Sequence, residues 1–342
     1  MPDKLAGRNI EEAFHKIYET PELVKPWAYK IVTEEEEALI RFLAGRPKSA
    51  AEVAGHFGIS PEEAARRLAS AYHRANIHKS RENNELYMPA TLYDRLGYFT
   101  QYEQEAWRTI PEGERAKIDV WYVEAFAELM KQRIEEQGDR FHRDAVMPIE
   151  TAIKEIADIY EEKQSPYYVV PCNCRTTANL CDFSRDTCVA NNRGANTQWD
   201  RGYGREVTLG ELNELMRAAD KEGLMHTVDR SGHICNCDTC CCYEFRGAGI
   251  LGSKGLWPRV PYVAAFDAEK CVNCGLCAKR CHFGAFSRGA GGRIGFDPSL
   301  CWGCGICETA CPASAIRTVP LPASASAAPA APAAPLAAQK GA

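Results

Sequence analysis

The 342 residues are 45% apolar and 25% charged, with a formal charge of −5. These are ordinary globular values that exclude wholesale disorder and point to two or three domains. The slightly acidic balance gives no overall case for nucleic acid or a basic membrane-binding face, and no run of 18 apolar residues marks a transmembrane helix. The start MPDKLAGRNIEEAFHK has no apolar stretch before a small-residue cleavage site, so no secretory leader is expected and the chain reads as cytoplasmic.

Residues 1–30 read as an irregular or partly helical arm, broken at Pro21 and Pro26. In residues 31–100, Thr33 before four glutamates opens a helix that ends at Gly45 and Pro47, and residues 49–57 fit a second, closed by Gly58. Ser60 caps a third, with Pro61 at N1 and Glu63 at N3, where its carboxylate can bond back to the cap amide. Ala64, Leu68, Ala71, Tyr72 and Ala75 keep helical spacing along one face. Ile77–Lys79 and residues 86–88 flank the turn residues Glu82, Asn83 and Asn84 as a hairpin. Helices followed by a hairpin in this order resemble a winged helix-turn-helix domain. Residues 101–165 read as wholly helical, with Gly138 closing one segment and Ile149, Ile153, Ile156 and Ile159 marking another, and with Trp107, Trp121, Tyr122 and Phe126 as core. Within 166–260, Thr208 and Glu211 form a capping box for a helix that ends at Gly223, and the glycine-rich 247–255 reads as a linker. Residues 261–318 form a compact cysteine-rich module, and the Ala/Pro/Ser-rich 319–342 has almost nothing to bury and is expected to be disordered. The fold expected is an α+β multidomain chain: a helical, winged-helix-like N-terminal half, a Cys-rich middle domain and a C-terminal module.

All 17 cysteines fall between Cys172 and Cys311. An odd total in a long chain without a leader fits disulfide pairing poorly and metal ligation well. Residues 267–288 repeat as 297–318 at an offset of 30, each copy carrying C-x2-C-x2-C-x3-C: Cys271, Cys274, Cys277, Cys281, then Cys301, Cys304, Cys307, Cys311, with Pro312 following. That is the bacterial ferredoxin spacing for [4Fe–4S] clusters, in which the fourth cysteine of each run ligates the other cluster. Cys271, Cys274, Cys277 and Cys311 are therefore assigned to one cluster, and Cys281, Cys301, Cys304 and Cys307 to the second. Three thiolates at intervals of three residues wrap one side of a cubane, and Gly275 and Gly305 let backbone amides approach the sulfurs. Zinc ribbons instead set C-x2-C pairs apart. The segment resembles the two-[4Fe–4S] ferredoxin domain family, which implies a βαβ repeat; it departs from that pattern at His282, which stands where proline is usual and is expected to alter the turn. The module's six basic and four acidic side chains, with two clusters of charge about −2 each, leave a mild negative charge. Weak steering of that kind suits a docked or fused module as well as a diffusing shuttle.

The other nine cysteines, Cys172, Cys174, Cys181, Cys188, Cys235, Cys237, Cys240, Cys241 and Cys242, are candidates for further iron–sulfur ligation. They could supply four ligands to each of two clusters with one left over, or four to one cluster; structural zinc and a redox-active thiol pair compete. Residues 171–175 (PCNCR), Ile234 to Cys237 and Cys240 to Cys242, ahead of the double module, resemble a family of anaerobic 4Fe–4S binding proteins. That resemblance implies one or two additional iron–sulfur clusters behind a winged-helix-like region, without identifying ligands. Arg175 reads as a donor to cluster sulfur or as a surface arginine, and His226 and His233 as structural histidines.

No dinucleotide or P-loop motif stands in a strand-to-helix setting and no nucleophile signature occurs, so a two-electron cofactor would sit on a partner such as a flavoprotein or another oxidoreductase subunit. The chain reads as an electron carrier without catalytic residues of its own. The alternatives are a redox-sensing regulator with its winged helix on DNA and a catalytic subunit whose nine-cysteine site performs chemistry. Residues 30–100 balance ten basic against ten acidic side chains, and Glu62 and Glu63 open the helix that would meet phosphates, so nucleic acid is disfavoured.

Overall fold

The computed structural model describes residues 10–138, 141 and 144–321. The start of the expected arm and the Ala/Pro/Ser-rich tail from residue 322 lie outside the described residues. Two compact units divide the chain: the residues up to Tyr122 with Arg193–Gly204, and Val123–Asn192 with the residues from Arg205 onward.

The first unit holds α1 (Glu12–Ile17), α2 (Ala28–Ile31), α3 (Glu34–Leu43), α4 (Ala50–Phe57), α5 (Pro61–His73), the strands β1 (Ile77–Lys79) and β2 (Tyr87–Pro89), α6 (Leu92–Tyr102), α7 (Gln104–Arg108) and the start of α8 (Glu112–Gln137). Residues 10–30 do not behave as an arm: Phe14, Tyr18 and Val24 are fully buried. The prolines shorten the helices there without preventing burial of the apolar side chains between them. Thr33 and Ser49 close full capping boxes with Glu36 and Glu52. Ser60 accepts from the Glu63 amide, but the Glu63 carboxylate turns to Arg66 and Arg67 instead of the cap. β1 and β2 pair antiparallel as expected, Ile77 opposite Pro89. Residues 193–204, expected within the Cys-rich segment, belong here. Arg201 donates to the Tyr72 and Ile77 carbonyls, and the Asn196 amide brackets the Lys79 backbone at 2.8 and 2.9 Å. These are polar contacts across more than 100 residues, which composition cannot signal.

The second unit is built on a six-stranded antiparallel sheet that the sequence did not reveal, in the order β3 (Ala145–Met147), β7 (Met225–Asp229), β8 (His233–Cys237), β5 (Cys188–Ala190), β4 (Tyr167–Val170), β6 (Arg205–Val207). β3 lies inside the stretch expected to be wholly helical, where a three-residue strand is too short to register against helical periodicity. The helices α9 (Ile149–Lys163) and α11 (Leu209–Glu222) bury Ile156, Ile159, Leu212 and Met216 against Tyr167, Val169, Val189, Val228 and Ile234. Side chains alternate across a pleat. Cys188 on β5 and Cys235 and Cys237 on β8 are one residue out of step with Val189 and Ile234, so they share the opposite face. Around that face lie α10 (Asn173–Ala178), α12 (Tyr243–Leu251) and a core of Met130, Phe141, Val146, Met225, Phe245, Trp257 and Trp302. The glycine-rich stretch read as a linker is largely α12. Its Gly247 lies against the Trp257 ring, where a Cβ would come within 3.2 Å, so a helix with poor propensity is held by close packing.

The last module runs β9 (Tyr262–Phe266), α13 (Leu276–Arg280), β10 (Phe286–Arg288), β11 (Ile294–Phe296), α14 (Ile306–Thr309) and β12 (Ile316–Pro320). Each half is β-α-β in order, but the strands pair antiparallel between halves, β9 with β12 and β10 with β11. β12 continues through Val319 and Pro320, which pair with Val263 and Tyr262, two residues beyond the boundary expected from composition.

Candidate metal centres

The duplicated run turns on residues with left-handed backbone. Asn273 and Gly303, then Gly275 and Gly305, have φ of 54°, 64°, 84° and 80°. The turns bring amides onto sulfur: Asn273 N lies 3.4 Å from Cys271 Sγ and Gly303 N 3.4 Å from Cys301 Sγ, while Ala315 N donates to Cys311 Sγ at 3.3 Å and Ala264 N to Cys301 Sγ at 3.5 Å. Gly275 and Gly305 take the left-handed backbone expected of them, and Asn273 and Gly303 join them.

Two small apolar cavities sort the eight cysteines. Cys271, Cys274, Cys277 and Cys311 line the first, with Val272, Leu276 and Ile316. Cys281, Cys301, Cys304 and Cys307 line the second, with Phe283, Trp302 and Ile306. Burial pushes Cys304 up to about 12 and raises Cys277 and Cys307, with the neighbouring cysteines of the same set adding to the shift. Such thiols hold their protons until a metal displaces them. Four soft donors around an apolar cavity, with amides aimed at the sulfurs, fit a cubane. The sets differ in exposure: Cys274 is exposed, whereas Cys304 and Cys307 are buried. His282 Nε2 donates to the Gly223 carbonyl at 2.8 Å, which ties the turn after Cys281 to the end of α11.

The nine middle cysteines divide differently. Six close a ring of thiol contacts, Cys172 to Cys174, Cys242, Cys237, Cys235, Cys188 and back to Cys172. Hydrogen bonds from Cys174 and Cys188 hold Cys172 well below the ordinary thiol range. Those from Cys188 and Cys237 do the same for Cys235, and Cys174, Cys188 and Cys237 are raised in turn. Burial pushes Cys242 up, but bonds from Cys174 and Cys237 outweigh it and leave it at about 6. The Cys237 and Cys242 sulfurs are 3.3 Å apart, and the Tyr243 amide that opens α12 donates to Cys174 Sγ at 3.4 Å. Glu244, which the sequence did not flag, stands within 4.8 Å of Cys235 and Cys237. Burial and the charges of Asp144, Cys242 and Cys235 push its carboxyl well above the carboxylate range.

The remaining three, Cys181, Cys240 and Cys241, gather with Asp238. Arg175 is not a surface residue, and its backbone amide reaches the Cys172 sulfur. Fully buried, its guanidinium donates to Asp238 Oδ2 at 2.8 and 3.1 Å, to Asn236 O and Thr187 Oγ1 at 3.1 Å, and to Ser184 O. Asp238 was also missed, because one acidic residue beside five cysteines carries no spacing signal. His226 is buried with Nδ1 2.7 Å from Asn236 Oδ1. His233 is exposed at the start of β8.

Residues 270–319 match the family described as a 4Fe-4S dicluster domain. No curated protein and no solved structure matches the chain. Among the described residues no helix is long and apolar enough to cross a membrane. The chain thus carries a ferredoxin-like 4Fe–4S domain near its C-terminal end and is an iron–sulfur protein of the electron-transfer class.

Proposed function

We propose that the chain is a one-electron relay. Cys271, Cys274, Cys277 and Cys311 hold one [4Fe–4S] cluster, Cys281, Cys301, Cys304 and Cys307 hold a second, and the ring of six thiols is a further iron–sulfur centre. Bound clusters supply reversible one-electron storage; the protein sets their order and surroundings. The observation that carries this reading is the sorting of eight cysteines into two cavities, each built from three of one run and the last of the other. For the inner centre, the ring offers six thiols where a cubane takes four. Its Cys237 and Cys242 share one apolar core with Phe245, Trp302 and Cys304. The Phe245 ring lies 5.3 Å from Trp302 and 5.6 Å from Phe283, and those two stack at 4.7 Å. At the other end, exposed Cys274 is flanked by Val272 and Leu276, 65% and 44% exposed. Electrons pass between the thiol ring and that apolar rim, where a partner oxidoreductase such as a flavoprotein docks.

Residues 31–100 are read as a winged-helix-like module for protein contact in an anaerobe-type redox complex. The cations of α5 and its C-cap are engaged within the unit: Arg67 with Glu63 and Glu35, Arg66 with Glu63, and the C-cap Arg74 with Glu36 and Glu103. Few remain for phosphate, which disfavours the DNA-reading alternative.

Anaerobic iron and sulfide counting, with EPR of the dithionite-reduced protein, tests the relay. About twelve iron per chain are expected at four per cubane. About eight would remove the ring as a cluster site, and a colourless protein without acid-labile sulfide would overturn the reading altogether.

A further inference from the structure

Cys181, Cys240, Cys241 and Asp238 stand apart from the thiol ring, and their donor atoms all lie within 4.8 Å of one another. The Cys241 sulfur is 3.6 Å from Cys181 and 3.7 Å from Cys240. Asp238 places Oδ1 3.1 Å from the Cys240 sulfur and Oδ2 3.9 Å from that of Cys181. A single tetrahedral Zn²⁺ with zinc–sulfur bonds of about 2.3 Å sets its thiolates about 3.8 Å apart, and with a zinc–oxygen bond of about 2.0 Å sets sulfur and oxygen about 3.5 Å apart. The two sulfur–sulfur distances match those of one ion, and the sulfur–oxygen distances, one to each carboxylate oxygen of Asp238, fall on either side of the second value. A cubane would force the same sulfurs apart, because each binds a different iron on the far side of the cluster from the others.

We infer that Cys181, Cys240, Cys241 and Asp238 form a mononuclear tetrahedral site for a divalent zinc-type cation, chemically distinct from the iron–sulfur centres. Three thiolates and one carboxylate complete the shell, which makes the site structural. It clamps the loop after α10 to the end of β8, segments 57 residues apart. Charge supports the assignment: three thiolates and a carboxylate need a divalent ion, and the buried Arg175 brings one more positive charge. Arg175 holds Asp238 Oδ2, and the Cys241 amide donates to Oδ1 at 2.6 Å, so the carboxylate is aimed by partners outside the shell, as is usual for metal-bound carboxylates.

The test is metal analysis of the full chain purified without oxygen, with zinc-edge X-ray absorption. About one zinc per chain is expected, with three sulfurs near 2.3 Å and one oxygen near 2.0 Å. Cys240→Ala should lose that zinc and keep wild-type iron and sulfide. Wild-type protein without zinc, or zinc in an all-sulfur shell, overturns the inference whether or not the variant folds. So does a Cys240→Ala protein that loses about four iron per chain, which would make these thiols cubane ligands. The zinc count is independent of the iron count, so this site and the relay stand or fall separately.

Discussion

Positions 273 and 303 occupy the same place in the two cysteine runs and share a left-handed backbone, yet one is asparagine and the other glycine. Asn273 has room for its side chain, whose Oδ1 accepts from the Ile294 amide at 3.0 Å. Gly303 has none. A Cβ there would overlap the Tyr262 carbonyl and come within 2.9 Å of the Tyr262 side chain, on a strand fixed by its five-residue ladder with β12. Gly303→Ala therefore adds about 1–2 kcal/mol for a left-handed alanine and about 1–3 kcal/mol for forced overpacking. Against a domain stability of about 5–15 kcal/mol, a total of roughly 2–5 kcal/mol opens the loop carrying Cys301 and Cys304 by a factor of about thirty or more. Asn273→Gly relieves backbone strain and loses the Ile294 hydrogen bond together with a weak 3.8 Å contact from the Cys271 thiol, a net change of about 1 kcal/mol or less. Iron content and thermal bleaching of the anaerobic proteins read the difference. Gly303→Ala should lose about four iron per chain and bleach at lower temperature, while Asn273→Gly keeps its iron. A Gly303→Ala protein with full iron and an unchanged bleaching midpoint would refute the steric argument.

The exposure of Cys274 against the burial of Cys304 and Cys307 predicts that limited oxidant releases iron in two phases, the first from the Cys274 cavity. Release in a single phase, or loss first of the signal removed by Cys304→Ser, would contradict it. In the first unit, burial alone would raise the Glu103 carboxyl, but the guanidinium charges of Arg95 and Arg74 outweigh it and hold it below the ordinary range. A depressed folded-state value means stabilisation that is complete above the unfolded pKa of about 4.3 and is lost as pH falls through the folded value. Unfolding of that unit should therefore become easier in acid below about pH 4, and Glu103→Gln should flatten the dependence; a variant with the wild-type acid profile would show that the pair contributes nothing.

The ferredoxin-like module was legible from sequence because its chemistry is local. Three thiolates must reach one face of a cubane through a short loop, which fixes their spacing and calls for residues tolerant of positive φ at 275 and 305. Capped helices were legible for the same reason, since the bond that closes a box spans three residues, as at Thr208 and Glu211. The six-stranded sheet was not: its strands are three to five residues long, and their pairing joins residues far apart in the chain. Nor could spacing divide the nine middle cysteines into six and three. That division follows from the pleat of β5 and β8, which turns Cys188, Cys235 and Cys237 to one face, and from a buried Arg175–Asp238 pair that gathers the others beside it. Ligand sets closed by a short loop can be read from the order of residues, whereas sets assembled across a sheet depend on register and burial, which arise only when distant segments pack.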